Sequence, residues 1–268
     1  MQRARFTLTT ILVYAGYLLL PSLTPALPSA AQSALVPTGS LRAVYLESNP
    51  AQAVKDAATG EIHGAAVDLT RELARRLGVP VRLTGVQGPQ NVIDAVQRGE
   101  ADIGFVAYNP ERAGPVEFSQ TYMLVQQTFL VRGNSSILSV KDIDRPNQRI
   151  GAGRGDSIAL YLARTLKQAQ LVQVDSGLND AGQMILAGTL DAMGANRQRL
   201  TDAVRGVSGL RLLPDDLYGV EQSIIVPKER PDALKAINQF IDDVRTSGFL
   251  RAAIEKSGVI GITVAPAP

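Results

Sequence analysis

The chain is 268 residues long, with 27 Lys plus Arg against 25 Asp plus Glu, no Cys, no Trp and one His. Without Cys there is no disulfide frame, thiolate nucleophile, iron–sulfur cluster or Cys-ligated zinc, and the single imidazole, His63, builds no multi-histidine site, so no metal or redox cofactor is expected. A near-neutral chain also lacks the basic excess that counterion release at a phosphate backbone requires, and nucleic acid is not an expected partner.

Residues 1–5 are basic, residues 6–20 are uncharged and largely apolar, and residues 21–31 are rich in Pro, Ser and Ala. This is the order of a secretory signal, with Ser29, Ala30 and Ala31 supplying the small residues that place cleavage after Ala31. The apolar run is shorter than the roughly 20 residues a spanning helix needs. Removing residues 1–31 takes away Arg3 and Arg5 and no acid, leaving 237 residues with 25 charges of each sign. The expected product is a periplasmic protein without a lipid anchor, since no Cys follows the cleavage site.

Beyond the signal, apolar runs of β character alternate with helical patterns. Residues 41–46 read as a strand. Ala66, Leu69, Leu73 and Leu77 recur at helical spacing until Gly78 and Pro80 stop them, with Asp68 near the positive end of the helix dipole. A strand is expected over 81–86, a helix over 91–98 ended by Gly99, and a strand over 101–107. The alternation restarts at 127–131 and runs through a strand at 149–152, a helix at 157–167, a strand at 171–174, a helix at 180–187 and a strand at 190–194. A strand at 223–226 then leads into a helical segment over 232–258, and a Pro- and Ala-rich tail, 263–268, is expected to be disordered. Two α/β units in series are implied. An internal echo supports them: the stretch Val96-Gln-Arg-Gly99-Glu-Ala-Asp102 matches Ile185-Leu-Ala-Gly188-Thr-Leu-Asp191, each a helix end, a Gly and an Asp entering a strand.

Several stretches carry a resemblance along nearly the whole mature chain. They are Gly64-Ala-Ala-Val-Asp68-Leu, Asp94-Ala-Val-Gln-Arg-Gly99-Glu-Ala-Asp102, Pro110-Glu-Arg112 with Val116-Glu-Phe118-Ser119-Gln-Thr-Tyr122, and Ser139-Val-Lys-Asp142-Ile. Further on come Ile150-Gly-Ala-Gly-Arg154-Gly155-Asp-Ser157, Leu186-Ala-Gly188-Thr-Leu-Asp191-Ala and Thr246-Ser-Gly248-Phe-Leu. Their order and spacing resemble family 3 of the bacterial extracellular solute-binding proteins, which deliver polar amino acids to ABC importers. The resemblance implies an α/β, two-lobe periplasmic-binding fold of type II, each lobe a mixed sheet flanked by helices. It places two hinge crossings near 122–126 and 220–223. Lobe one would then comprise residues 35–122 and 224–262, and lobe two residues 123–223. Ligands in such lobes lie outside the carboxyl ends of the strands, where helix amino termini present free N–H groups.

The same resemblance assigns Arg112 to the ligand's carboxylate, a role its planar guanidinium suits. It places the turn Arg154, Gly155, Asp156 and Ser157 where backbone N–H groups and a hydroxyl meet an anionic group. The Gly151–Gly155 glycines do not make a dinucleotide loop, because Asp156 stands where the third Gly belongs and repels a pyrophosphate. Where the family holds an Asp against the ligand's ammonium this chain has Asn196, which offers hydrogen bonds but no countercharge. The family's aromatic residues are replaced around Asn49 and Gln90, so the remaining candidates, Tyr45, Glu47, Asn49, Gln90, Ala107, Tyr108 and Asn109, are mostly polar. His63 reads as a solvated turn residue, and Asp215-Asp216 and Asp242-Asp243 as solvated faces or caps.

The expected function is that of a monomeric periplasmic protein capturing a small polar, carboxylate-bearing solute for an ABC permease, with no cofactor and no catalytic residue. Two alternatives stand beside it: a cyclohexadienyl (arogenate or prephenate) dehydratase-like enzyme using Glu47 or Asp156 as its acid, and a ligand-sensing partner subunit.

Overall fold

The computed structural model describes residues 34–175 and 178–268, so the segment read as a secretory signal lies outside the described residues. The first half is built from β1 (Leu41–Leu46), a ribbon of β2 (Val54–Lys55) and β3 (Ile62–His63), α1 (Ala65–Leu77), β4 (Val81–Val86), α2 (Pro89–Gln97), β5 (Ile103–Ala107) and β6 (Val116–Phe118). The long β7 (Met123–Arg132) leads into the second half: β8 (Arg149–Gly153), α3 (Ser157–Thr165), β9 (Gln170–Val174), α4 (Leu178–Leu186), β10 (Ala192–Asn196), α5 (Arg197–Ala203) and β11 (Leu210–Leu212). A second long strand, β12 (Tyr218–Pro227), returns to the first half, where α6 (Pro231–Thr246), α7 (Phe249–Ser257) and β13 (Ile262–Val264) complete the chain.

The strand path is β4-β1-β5-β12-β7-β10-β8-β9. β1 runs parallel to β4 and β5, and β8 runs parallel to β9 and β10. β7 and β12 are antiparallel to each other and to the strands they join. Parallel strands need crossover helices to cover both faces, and each half supplies them. In the first half Leu69, Leu73, Ile237 and Phe240 pack on Leu41 and Phe105 from one face, while Val92 and Val96 meet Val44 and Val106 on the other. In the second half Ile158 and Leu162 pack with Phe129 and Ile150, and Ile185 with Leu130 and Met193. The first pair of clusters draws on residues up to 125 and from 224 onward, the second on residues between, so one hydrophobic core is inserted into the chain of the other. The segments 122–126 and 220–223 lie where β7 and β12 run between these cores.

The internal echo is a shared clasp. In the first half the Arg42 backbone N–H and side-chain Nε both donate to Asp102 Oδ2 (3.0 and 3.1 Å), Nη2 donates to Asp102 Oδ1 (2.7 Å), and Nη1 donates to the Gly99 carbonyl (2.7 Å). In the second half the Arg149 backbone N–H and Nε donate to Asp191 Oδ2 (2.8 and 3.1 Å), and Nη2 donates to Asp191 Oδ1 (3.1 Å) and to the Gly188 carbonyl (2.7 Å). Gly99 and Gly188 sit at φ 69° and 76°, the left-handed region that glycine adopts without a Cβ penalty and that lets a helix end turn directly into a strand.

Three elements differ from the sequence reading. The helical segment expected over 232–258 forms as two helices, because Gly248 adopts φ 79° and turns the chain between α6 and α7. The tail expected to be disordered is partly ordered: β13 pairs with Met123–Val125 and the Ala265 N–H donates to the Tyr122 carbonyl at 3.1 Å. An open edge of β7 presents unpaired backbone groups there, and the tail satisfies them. His63 lies in β3, paired with Val54, rather than in a turn. Of the acid pairs, Asp215 accepts from the Ser139 hydroxyl and the Val140 N–H, capping the single-turn helix Val140–Asp142, and Asp243 accepts from Arg76.

Candidate functional site

A cleft of about 570 Å3, measured out to its open mouth, lies between the two halves. On the first wall, β5 ends at Ala107 and the chain enters the single-turn helix Pro110–Arg112. Asn109 caps that turn, its Oδ1 accepting from the Glu111 N–H at 3.0 Å, and Pro110 fits the first helical position because it has no N–H to leave unpaired. The turn brings Arg112 back over the cleft. Its Nη1 donates to the Ala107 carbonyl and its Nη2 crosses to the Gly155 carbonyl, each at 3.1 Å. Among the described residues no carboxylate forms an ion pair with it. Burial pulls the Arg112 pKa below the ordinary guanidinium range, against the opposing pull of Asp156 and Glu111. Desolvation with no salt-bridge partner is the environment of a cation that awaits an anion.

The floor of the cleft is made of amides. Gln52 is fully buried; its Oε1 accepts from the Leu46 N–H (2.8 Å) and its Nε2 donates to Gln222 Oε1 (3.3 Å). Gln127 donates to the Val125 carbonyl at 3.1 Å. These three glutamines line the cleft and were not singled out from the sequence, although an amide set in an apolar strand run, as Gln127 and Gln222 are, is itself a signal: burying it costs free energy unless something meets it.

The second wall begins where β8 turns into α3. A Cβ on Gly153 would lie 2.5 Å from Asp156 Oδ2, so only glycine lets that carboxylate fold over the turn. Asp156 accepts from Arg199 Nη1 at 3.1 Å, and Ser157 opens the helix beside it. Asn196 ends β10 and caps α5, its Oδ1 accepting from the Arg199 N–H at 2.7 Å. Its Nδ2 reaches across the cleft to Asn49 Oδ1 at 3.4 Å. Arg199 was also missed by sequence reading, since nothing in the stretch Arg197-Gln-Arg199 marks which arginine faces inward.

Seven of the sequence candidates therefore meet at the cleft: Asn49, Ala107, Arg112, Gly155, Asp156, Ser157 and Asn196. The other six do not line it, each for a physical reason, although Gln90 and Asn109 border an adjoining recess that shares Arg112 and Gly155 with the cleft. Tyr45 points the other way along β1 and is buried in the first core. Glu47 is exposed and accepts from Gln87 Nε2 at 2.7 Å, while Gln90, exposed in the first turn of α2, donates to Asp94. Arg154 is drawn outward by Asp175 and Gln173. Tyr108 packs edge-on against Phe118 and lines a separate recess with Tyr161 and Tyr218; Asn109 is consumed as a cap. Among the described residues no three His, Cys, Asp or Glu side chains are grouped to hold a metal ion.

Two α/β lobes joined by a pair of long antiparallel strands, with a polar cleft between them, define the type II periplasmic-binding fold. The model of the bacterial extracellular solute-binding proteins, family 3, matches residues 41–258, and the chain belongs to that family. Its similarity to individual members is distant. It is 25% identical over 201 residues, 74% of either chain, to the L-cystine-binding protein TcyJ of Escherichia coli (strain K12). It superposes on a mutant of ArgBP from T. maritima with TM-score 0.67 at 24% identity, covering 85% of this chain and 99% of that one. The ancestral amino acid-binding protein AncCDT-1, a precursor of cyclohexadienyl dehydratase, gives TM-score 0.66 at 23% identity, covering 84% and 97%.

Proposed function

We propose that the protein captures a small polar solute bearing a carboxylate, an amino acid being the class its curated relative TcyJ is named for, and hands it to an ABC permease. The observation that carries the reading is Arg112: a desolvated guanidinium without an acid partner, facing the start of α3 across the cleft. A carboxylate placed there pairs with the guanidinium and meets the N–H groups at Ser157. Residues 35–122 with 224–262 form one lobe and 123–223 the other, and the cleft closes on its solute by bending within β7 and β12. Export follows from the signal read in residues 1–31. Binding without turnover is favoured by the cleft's acids: Asp156 is engaged by Arg199, Glu47 is turned outward, and Glu111, next to Arg112, is paired with Arg164.

Calorimetry on the wild type, Arg112→Ala and Asn196→Asp tests this. Arg112→Ala should weaken carboxylate binding by about 2 to 5 kcal/mol, because the anion is left without its partner. Asn196→Asp retains the cap on α5 and adds a negative group, so it should improve α-amino acids relative to simple carboxylic acids. Carboxylate binding undiminished in Arg112→Ala would overturn the assignment.

A further inference from the structure

We propose that Arg199 and Asp156 set the charge this cleft accepts, selecting solutes of net charge −1; the proposal rests on the cleft being the ligand site. Among the described residues that line it, only Arg112, Asp156 and Arg199 are charged, and the remainder are amides, hydroxyls and small apolar groups. The fixed charge of the cleft is therefore one positive. Arg199 and Asp156 stand together on the second wall at 3.1 Å, with side chains 29% and 36% exposed, so each keeps an open face toward a solute. Arg112 stands on the first wall and reaches across to the turn that carries Asp156.

When a solute displaces the water between the walls, charges that do not sum to zero lose their screening. A monoanion balances the cleft, a zwitterion leaves one positive charge, and a cation leaves two. The pair also governs where charges within the solute can sit. While Arg199 holds Asp156, that carboxylate is engaged and offers little to an ammonium. Arg199 spends one N–H on Asp156 and one backbone N–H on Asn196, and its other guanidinium hydrogens remain available to a second anionic oxygen. The solute class is thus an acid of net charge −1: a simple carboxylate, or an amino acid with a second acidic group.

L-glutamate and L-glutamine share a shape and differ by one charge, which makes them suitable probes, with glutarate as the dianion. Calorimetry on the wild type should show L-glutamate bound at least about tenfold tighter than L-glutamine. Arg199→Gln brings the cleft to zero and frees Asp156 for an ammonium, so the order should reverse. Asp156→Asn raises the cleft to two positive charges and should favour glutarate over L-glutamate by about tenfold. Acetate and acetamide, small enough for any cleft of this size, give the same ratio by thermal shift. The proposal is overturned by a wild type that prefers the neutral member of either pair, or by Arg199→Gln leaving the wild-type ratio within about twofold. Arg112→Ala removes both the clamp and one positive charge, whereas Arg199→Gln and Asp156→Asn change the charge with Arg112 in place; loss of all carboxylate binding in Arg112→Ala with unchanged ratios in the other two variants would overturn charge selection and leave the clamp standing.

Discussion

The two halves of the molecule use one clasp in two environments. Arg42 on Asp102 and Arg149 on Asp191 repeat the same four hydrogen bonds at the same place, where a helix ends on glycine and the chain enters a strand. The Asp102 side chain is fully buried and has a second cation, Arg230, at 3.7 Å, whereas the Asp191 side chain is 33% exposed. The same set of partners thus carries different energy. Removing one partner of a buried pair strands the other, while water takes up much of the loss at a half-exposed one.

Asp102→Ala should be the largest test of that difference, destabilising the protein by about 3 kcal/mol, read as a lower urea midpoint at unchanged slope. Asp191→Ala should cost about 1 kcal/mol. Equal losses would mean that burial does not distinguish the two clasps. A smaller effect separates charge from hydrogen bonding within the second clasp. Partial burial opposes ionisation of Asp191, but the hydrogen bonds from Arg149 outweigh it and hold the carboxyl below its ordinary range. A carboxyl lowered on folding stabilises the native state above its unfolded value, and the contribution is lost as pH falls through the folded one. The gap in urea midpoint between wild type and Asp191→Asn should therefore be present near neutral pH and narrow as pH falls below the ordinary carboxylate range. A gap that stays constant with pH would assign the clasp to its geometry alone.

The legibility of the sequence follows the same physics. The echo of Gly99 and Asp102 in Gly188 and Asp191 was readable because glycine and aspartate are forced by a local turn. The alternation of strands and helices was readable because burial has a period. Arg112 could be placed because the Pro110-Glu-Arg112 turn after a strand matches the motif of the family it resembles. Tyr45 could not be, since a strand residue faces core or cleft by parity, and a one-residue choice reverses it. Arg154 was placed at the cleft wrongly and Arg199 was overlooked for a related reason: which arginine turns inward depends on acids distant in sequence, Asp175 for one and Asp156 for the other. The helix break at Gly248 and the pairing of β13 were missed because a glycine near a helix end and an apolar tail acquire their roles only from what lies beside them.

That pairing bears on the mechanics of the crossing between lobes. Met123–Val125 is flanked by Gln222–Val220 of β12 on one edge and by Val264–Ile262 of β13 on the other, so the segment is the middle of three strands rather than one of two. Just beyond it, the Ile260 N–H donates to Gln198 of the second half at 2.8 Å, and the Gln126 N–H donates to the Gly261 carbonyl at 2.8 Å. Torsion applied at β7 is therefore shared with a strand that lies outside the cleft and contributes no side chain to its walls. In the proposed bending, residues 262–264 would act as a leaf spring laid along the joint. Its stiffness can change, by substitution at Gly261 or by a load fused to Pro268, while every cleft side chain keeps its identity.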